Sequence, residues 1–256
     1  MKYIITSLAL FIATFSFSQK TVNASDILRD IKDGKKITIN NAIIEGVLDL
    51  TYMDDALPSL PKRSRWWNNG GSNTVEKDIS SSISFTNCTF KDDVLAYVPH
   101  EDSGYTFIAN FEDTVVFKNC TFERKAMFKY SDFDENTDFS GTKFLDDSTF
   151  KYAEFSRNIS FENTLFDEPA TFKYADFRKF VSFANSTFKE TATFKYTKFK
   201  NGVSFNNVKF QEDLDIKYTK VDGEFDIKNM EVGFDIDSKY TKINGKSFSK
   251  YVLKSK

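Results

Sequence analysis

The chain holds a single histidine, His100, followed directly by Glu101 and Asp102. One imidazole cannot build a multi-histidine metal centre. A Ser-His-Asp relay needs an oriented partner and an oxyanion hole, and no motif around His100 supplies them. A solvated loop histidine is the expectation. Carboxylate pairs are more frequent, at Asp134-Glu135, Asp146-Asp147 and Asp167-Glu168. Such pairs can cleave glycosides or bind calcium. Here they recur along the chain interleaved with lysines, as solvated corners would. Cys88 and Cys120 occupy matching places in FTNCTF and FKNCTF. In an oxidising compartment they are a candidate disulfide; two small buried thiols are the other reading. Trp66 and Trp67 sit beside Arg63 and Arg65. They are either a lid on the flank of the fold or an interaction surface. No glycine-rich phosphate loop is present. The sequence therefore assigns no catalytic residue, no metal ligand and no cofactor.

What positions these residues is a repeat. FKYSDF at 128–133 returns as FKYAEF at 150–155, FKYADF at 172–177 and FKYTKF at 194–199, with IKYTKV at 216–221 and SKYTKI at 238–243. Apolar centres step alternately by five and six residues, from Phe117 and Phe122 through Phe128 and Phe133 to Phe205 and Phe210. A helix would need steps of three and four, and a long amphipathic strand would alternate without a break. Short faces meeting at regular corners satisfy the pattern, with each centre and the residue two before it pointing inward. Four such faces make one coil. The odd residues left over, Asn136, Asp147, Asn158, Pro169, Phe180, Thr191, Gly202 and Asp213, are expected at solvent-facing corners.

The two halves of each coil differ. One half carries tyrosine two residues after its first centre, at Tyr130, Tyr152, Tyr174, Tyr196 and Tyr218. The other carries Asn119, Gly141, Asn163, Asn185, Asn207 and Asn229. Asparagine exchanging with glycine points to a backbone position with positive φ. Stacking would turn these positions into vertical ladders of tyrosine and of asparagine. Lysines at 129, 151, 173, 195 and 217 would form a third.

The pattern, carried by segments such as ATFKYADFRKFVSFANSTFKETATFKYTKF at 170–199, resembles the pentapeptide-repeat family. It is the variant in which paired five-residue units are separated by one extra residue. The resemblance covers 109–245, 83–93 and ITINNAIIEGVLDL at 37–50. It implies an all-β solenoid, a right-handed quadrilateral β-helix, and members that can dimerise end to end. A three-faced parallel β-helix also tolerates coils of this length and uses asparagine ladders.

Around the repeat lie other segments. Residues 1–18 read as a secretory signal peptide: Lys2, an apolar run, then small residues before Gln19. The run is too short for a membrane span, and no other apolar stretch reaches that length. The mature chain is expected in the periplasm or outside the cell. Residues 19–35 contain a capping helix, with Ser25 or Asn23 as N-cap, Ile27, Leu28 and Ile31 as its stripe and Gly34 as its stop. The β-helix spans 36–245, interrupted at 51–82 and about 94–103. A basic tail, 246–256, follows and is expected to fold over the last coil. With 40 % hydrophobic residues, 29 Phe, 10 Gly and 4 Pro, the chain is neither collagen-like nor a Pro-rich disordered polymer.

Three functions compete. The first is a non-catalytic scaffold binding a protein or glycan, the flat faces of the tyrosines or of the tryptophan pair suiting sugar rings. The second is a carbohydrate-active β-helix enzyme. The third is a DNA mimic, as in the gyrase-protecting members of the family. The net charge of −2 is small, the array from 117 to 210 is slightly basic, and the leader points away from nucleic acid. All three features disfavour the third.

Overall fold

Phenylalanine placed on phenylalanine, coil after coil, forms the axis of the molecule. The computed structural model describes residues 19–61 and 73–249. Residues 1–18, expected to be a leader, the Arg63/Arg65/Trp66/Trp67 cluster and the tail beyond 249 lie outside the described residues.

Four sheets run along the stack, with 9, 8, 8 and 10 strands, parallel except for a hairpin and the last strand. The coil is therefore four-sided, not three-sided. Face 1 runs from Ile37–Asn40 to Phe225–Asp226, and face 2 from Ala42–Glu45 to Glu231–Val232, with Lys20–Asn23 added ahead of it. Face 3 runs from Leu48–Asp49 to Ile236–Asp237, and face 4 from Thr74–Ile79 to Lys242–Ile243. Most strands are two residues long, and phenylalanines fall in exact register, as in Phe122↔Phe144 and Phe133↔Phe155.

Inside, the rings form four columns. Phe139, Phe161 and Phe183 stack at 5.3 and 5.0 Å, and Phe150, Phe172 and Phe194 at 5.0 and 4.9 Å, all within a few degrees of parallel. The two inner columns meet edge to face, Phe161 against Phe172 at 5.3 Å and 82°. Burial of each ring is worth about 1.5–3 kcal/mol, and each aromatic pair adds about 0.5–1.5 kcal/mol. The small residues two before each centre are buried too, and their hydroxyls need acceptors. Thr164, Ser186 and Thr197 donate to the carbonyls of Phe139, Phe161 and Phe172 at 3.1, 2.6 and 2.7 Å. A hydroxyl thus closes the corner of one coil onto the coil before it.

At the N-terminal end the helix Ala24–Lys32 buries Ala24, Ile27 and Ile31 on the first coil. Asn23 is its N-cap, although its side chain makes no cap bond. Gly34, at φ 73°, ends the helix; its N–H donates to Ile31 O, and that of Lys35 to Asp30 O. That is a glycine C-cap with both end carbonyls satisfied. At the other end Lys246–Ser247 folds back antiparallel on Lys242–Ile243, and Phe248 meets Phe225.

The interruptions leave the stack undisturbed. Coil partners lie 22 residues apart in the regular array, 46 across the first insertion and 32 across the second. The second sits later than 94–103. Val94–Leu95 is still in register with Ala126–Met127, and the extra residues form a hairpin of Tyr97–His100 with Tyr105–Phe111. The first ends earlier than residue 82, because Thr74–Ile79 pairs with Thr106–Phe111 and rejoins face 4. Among the leftover corner residues, Gly202 is buried rather than solvent-facing. A Cβ there would meet the Glu224 backbone at 2.7 Å.

Truncation of one inner ring tests the column. Phe172→Ala is expected to cost about 3–5 kcal/mol in urea unfolding, while the exposed Lys179→Ala stays within about 0.5 kcal/mol. Equal midpoints for the two variants would show that the columns do not hold the coils.

Candidate functional site

The outer surface is built from the corners. Phe150 O accepts the N–H of Ala153 at 3.1 Å, with Lys151 and Tyr152 between them, and Tyr152 has φ 62°. This is a tight turn whose third residue is left-handed, as in type II turns. The opposite corner has the same form, with Asn163 at φ 57° and Gly141 at φ 69°. The asparagine side chains bond coil to coil: Asn185 donates to Asn163 at 3.3 Å, Asn207 to Asn185 at 3.1 Å and Asn229 to Asn207 at 2.8 Å. At Gly141 a side chain would collide with Asn119.

The tyrosines share that left-handed conformation, which their residue type does not favour. The cost is about 1–2 kcal/mol per residue. Stacking offsets it: Tyr130, Tyr152, Tyr174, Tyr196, Tyr218 and Tyr240 lie at successive ring separations of 4.8, 4.6, 4.7, 4.5 and 4.9 Å. Lys151 and Lys173 place their ammonium groups 5.2 Å from the ring centres of Tyr152 and Tyr174. Lys129 is 4.4 Å from Tyr97 and donates to its hydroxyl at 2.9 Å. Burial beside Lys129 and Lys173 lowers the Lys151 pKa. The flat faces expected to receive sugar rings are therefore closed against one another. The ladder offers ring edges, phenol hydroxyls and a row of ammonium groups.

Two outward columns flank this corner. On face 3, Met127, Thr149, Thr171 and Thr193 line a groove of about 420 Å³ that Tyr97 and Lys129 border. On face 4, Asp132, Glu154 and Asp176 are followed in register by Lys198, Lys220 and Lys242. Glu154 pairs with Arg178, and Asp176 with Lys200. The carboxyl of Asp132 is pushed up to about 6, first by burial and then by Glu154, Asp134 and Glu76, against the pull of Arg178.

The other singled-out residues are dispersed. His100 ends the first strand of the hairpin, with Nδ1 2.8 Å from Ser103 Oγ in the turn. Cys88 and Cys120 are buried free thiols stacked one coil apart. Their Sγ atoms reach Ile39 O and Phe85 O at 3.5 Å, in the column that Thr164 and Ser186 continue. The neighbouring Cys88 thiol, and then burial, push the Cys120 thiol up. Among the described residues, no group of three or more His, Cys, Asp or Glu could hold a metal ion.

A raised carboxyl pKa in the fold means that ionisation of Asp132 opposes folding. Its protonated form is the better accommodated one, so stability falls as pH rises from about 4 through about 6. Asp132→Asn is expected to raise stability at pH 7–8 by about 1 kcal/mol or less after solvent screening, and to change nothing below about pH 4. The same gain at every pH would refute the assignment. For the cysteines, thiol titration without reductant should count two free groups, reactive only after unfolding; a count of zero would mean a disulfide.

A family model for pentapeptide repeats matches residues 109–154, 150–198 and 172–220. Neither the curated proteins nor the solved structures compared with the chain give a match. With those repeats in sequence and the same four-sided coil continuing on both sides of them, the chain is a pentapeptide-repeat protein.

Proposed function

We propose that the protein is a non-catalytic interaction scaffold acting in the periplasm or outside the cell, with the lysine–tyrosine corner as its binding surface. The observation that carries this reading is the length and regularity of that corner. It runs unbroken past the hairpin from Lys129 to Tyr240, with a lysine ammonium over the ring at Tyr130, Tyr152, Tyr174, Tyr196 and Tyr240, while Lys217 pairs with Asp237. A long, repeating surface suits a long, repeating ligand. The carboxylates support the non-catalytic part. Glu154, Asp167 and Asp176 pair with Arg178, Lys189 and Lys200 of the following coil, which is a structural use. The leader-like sequence at 1–18 supports the location.

The test uses the chain from residue 19 and a variant carrying Lys151→Gln, Lys173→Gln and Lys195→Gln, incubated with polysaccharides of defined length. Retention that weakens in the variant, with polymer length unchanged, supports the reading. New chain ends or new double bonds in the polymer would establish catalysis instead.

A further inference from the structure

The repeats change character halfway along the corner. The first three copies read KYSD, KYAE and KYAD, and put Asp132, Glu154 and Asp176 on face 4. The next three read KYTK, at 195–198, 217–220 and 239–242. Lys198, Lys220 and Lys242 take over the same register positions. From Lys195 onward, the stacked rings of Tyr196, Tyr218 and Tyr240 lie between two rows of lysine.

The fold does not require this change. Beneath it the backbone turn is the same: the N–H of Thr197 and of Thr219 donates to Phe194 O and Ile216 O, as that of Ala153 and of Ala175 does to Phe150 O and Phe172 O. Nor does the change create new ion pairs. Lys217 meets Asp237 at 3.2 Å. Lys195, Lys198, Lys220, Lys239 and Lys242 have no carboxylate within ion-pair distance among the described residues. Like charges on neighbouring strands, about 4.8 Å apart, repel one another. The patch is an array of cations on a rigid support, with Asp215 and Asp237 as acids at its face 3 edge.

We propose that this double lysine row binds a linear anionic polysaccharide, whose carboxylate or sulfate groups meet Lys195, Lys198, Lys220, Lys239 and Lys242. The inference rests on the scaffold reading and gives its ligand a chemical class. Charge supplies the first argument. The closed ring faces supply the second: neutral sugars have no aromatic platform here, whereas an anionic polymer needs only the ammonium groups and the phenol hydroxyls between them. Shape supplies the third. One lysine row continues back through Lys173 and Lys151 to Lys129, roughly 24 Å in five steps of about 4.8 Å. That surface suits a rod lying along the corner better than a compact anion.

Immobilised polygalacturonate is the probe, with dextran as the neutral polymer and a single-stranded oligonucleotide as a polyanion without uronate. The variant Lys198→Asp/Lys220→Glu/Lys242→Asp gives these coils the acids that the first three already carry, so the coil is known to accommodate them. A thermal melt confirms folding; if it is lowered, Lys220→Glu alone takes its place. The chain is expected to bind polygalacturonate and not dextran, and to elute as salt approaches about 1 M. The triple variant should bind more than tenfold more weakly. The converse, Asp132→Lys/Glu154→Lys/Asp176→Lys, should bind more tightly. Equal binding by the triple variant overturns the site, and tighter binding of the oligonucleotide than of polygalacturonate overturns the ligand class. If the chain binds none of the three polymers the inference falls, while the scaffold reading stands until a polymer is seen to be cut.

Discussion

Stacking of phenylalanine on phenylalanine is the constraint to which everything else answers. A ring of one coil finds its partner at 4.5–5.4 Å only if the next coil returns to the same point. Coil length is therefore fixed, and each coil leans on its neighbours rather than on a distant core. The insertions obey the same rule. Thr74–Ile79 and the Tyr97–Phe111 hairpin leave and rejoin at a corner, and Phe85 still stacks on Phe117 at 5.3 Å across the hairpin. Extra chain is tolerated where it costs no ring contact.

A fixed coil length forces four tight corners into every turn of the solenoid, and one corner in each half takes a left-handed residue. Asparagine and glycine fill that place at one corner, as their conformational preferences favour. Tyrosine fills it at the other against its preference. The column makes this workable: a tyrosine alone would carry the strain without relief, whereas a tyrosine in a stack gains a ring contact above and below. The surface ladders are thus consequences of the interior period, and they begin and end with it. Tyr240, at the last coil, has lost its outer neighbour and is 58 % exposed.

This explains what could be read from the sequence. The 22-residue period, the inward pairs and the asparagine ladder followed from spacing and residue type alone, since each is a property of one coil copied along the chain. The left-handed tyrosines did not. Their conformation belongs to the same tight turn that the asparagines make, and no single-residue preference of tyrosine reports it. Closure of the ring faces was missed for the same reason. The start of the hairpin is not legible in the sequence because Val94 and Ala96 occupy positions that hold Ala126 and Phe128 in the next coil. With a valine and an alanine there, the apolar spacing loses its marker until Phe111. Four sides rather than three became certain only when face 1 and face 3 were seen as separate sheets.

The exposed positions obey a different logic from the buried ones. Inward residues are dictated by their vertical neighbours, so Phe133, Phe155, Phe177 and Phe199 do not vary. The residue just before each of them faces out, and the period places no demand on its charge. If stability alone shaped that column, opposite charges would alternate along it, because like charges on adjacent strands repel. Instead three acids are followed by three lysines. The acids are partly answered by Arg178 and Lys200 of the coils that follow, while the lysines of face 4 are left unanswered. A repulsion that the core neither needs nor relieves is most simply accounted for by a counter-charge that comes from outside the chain.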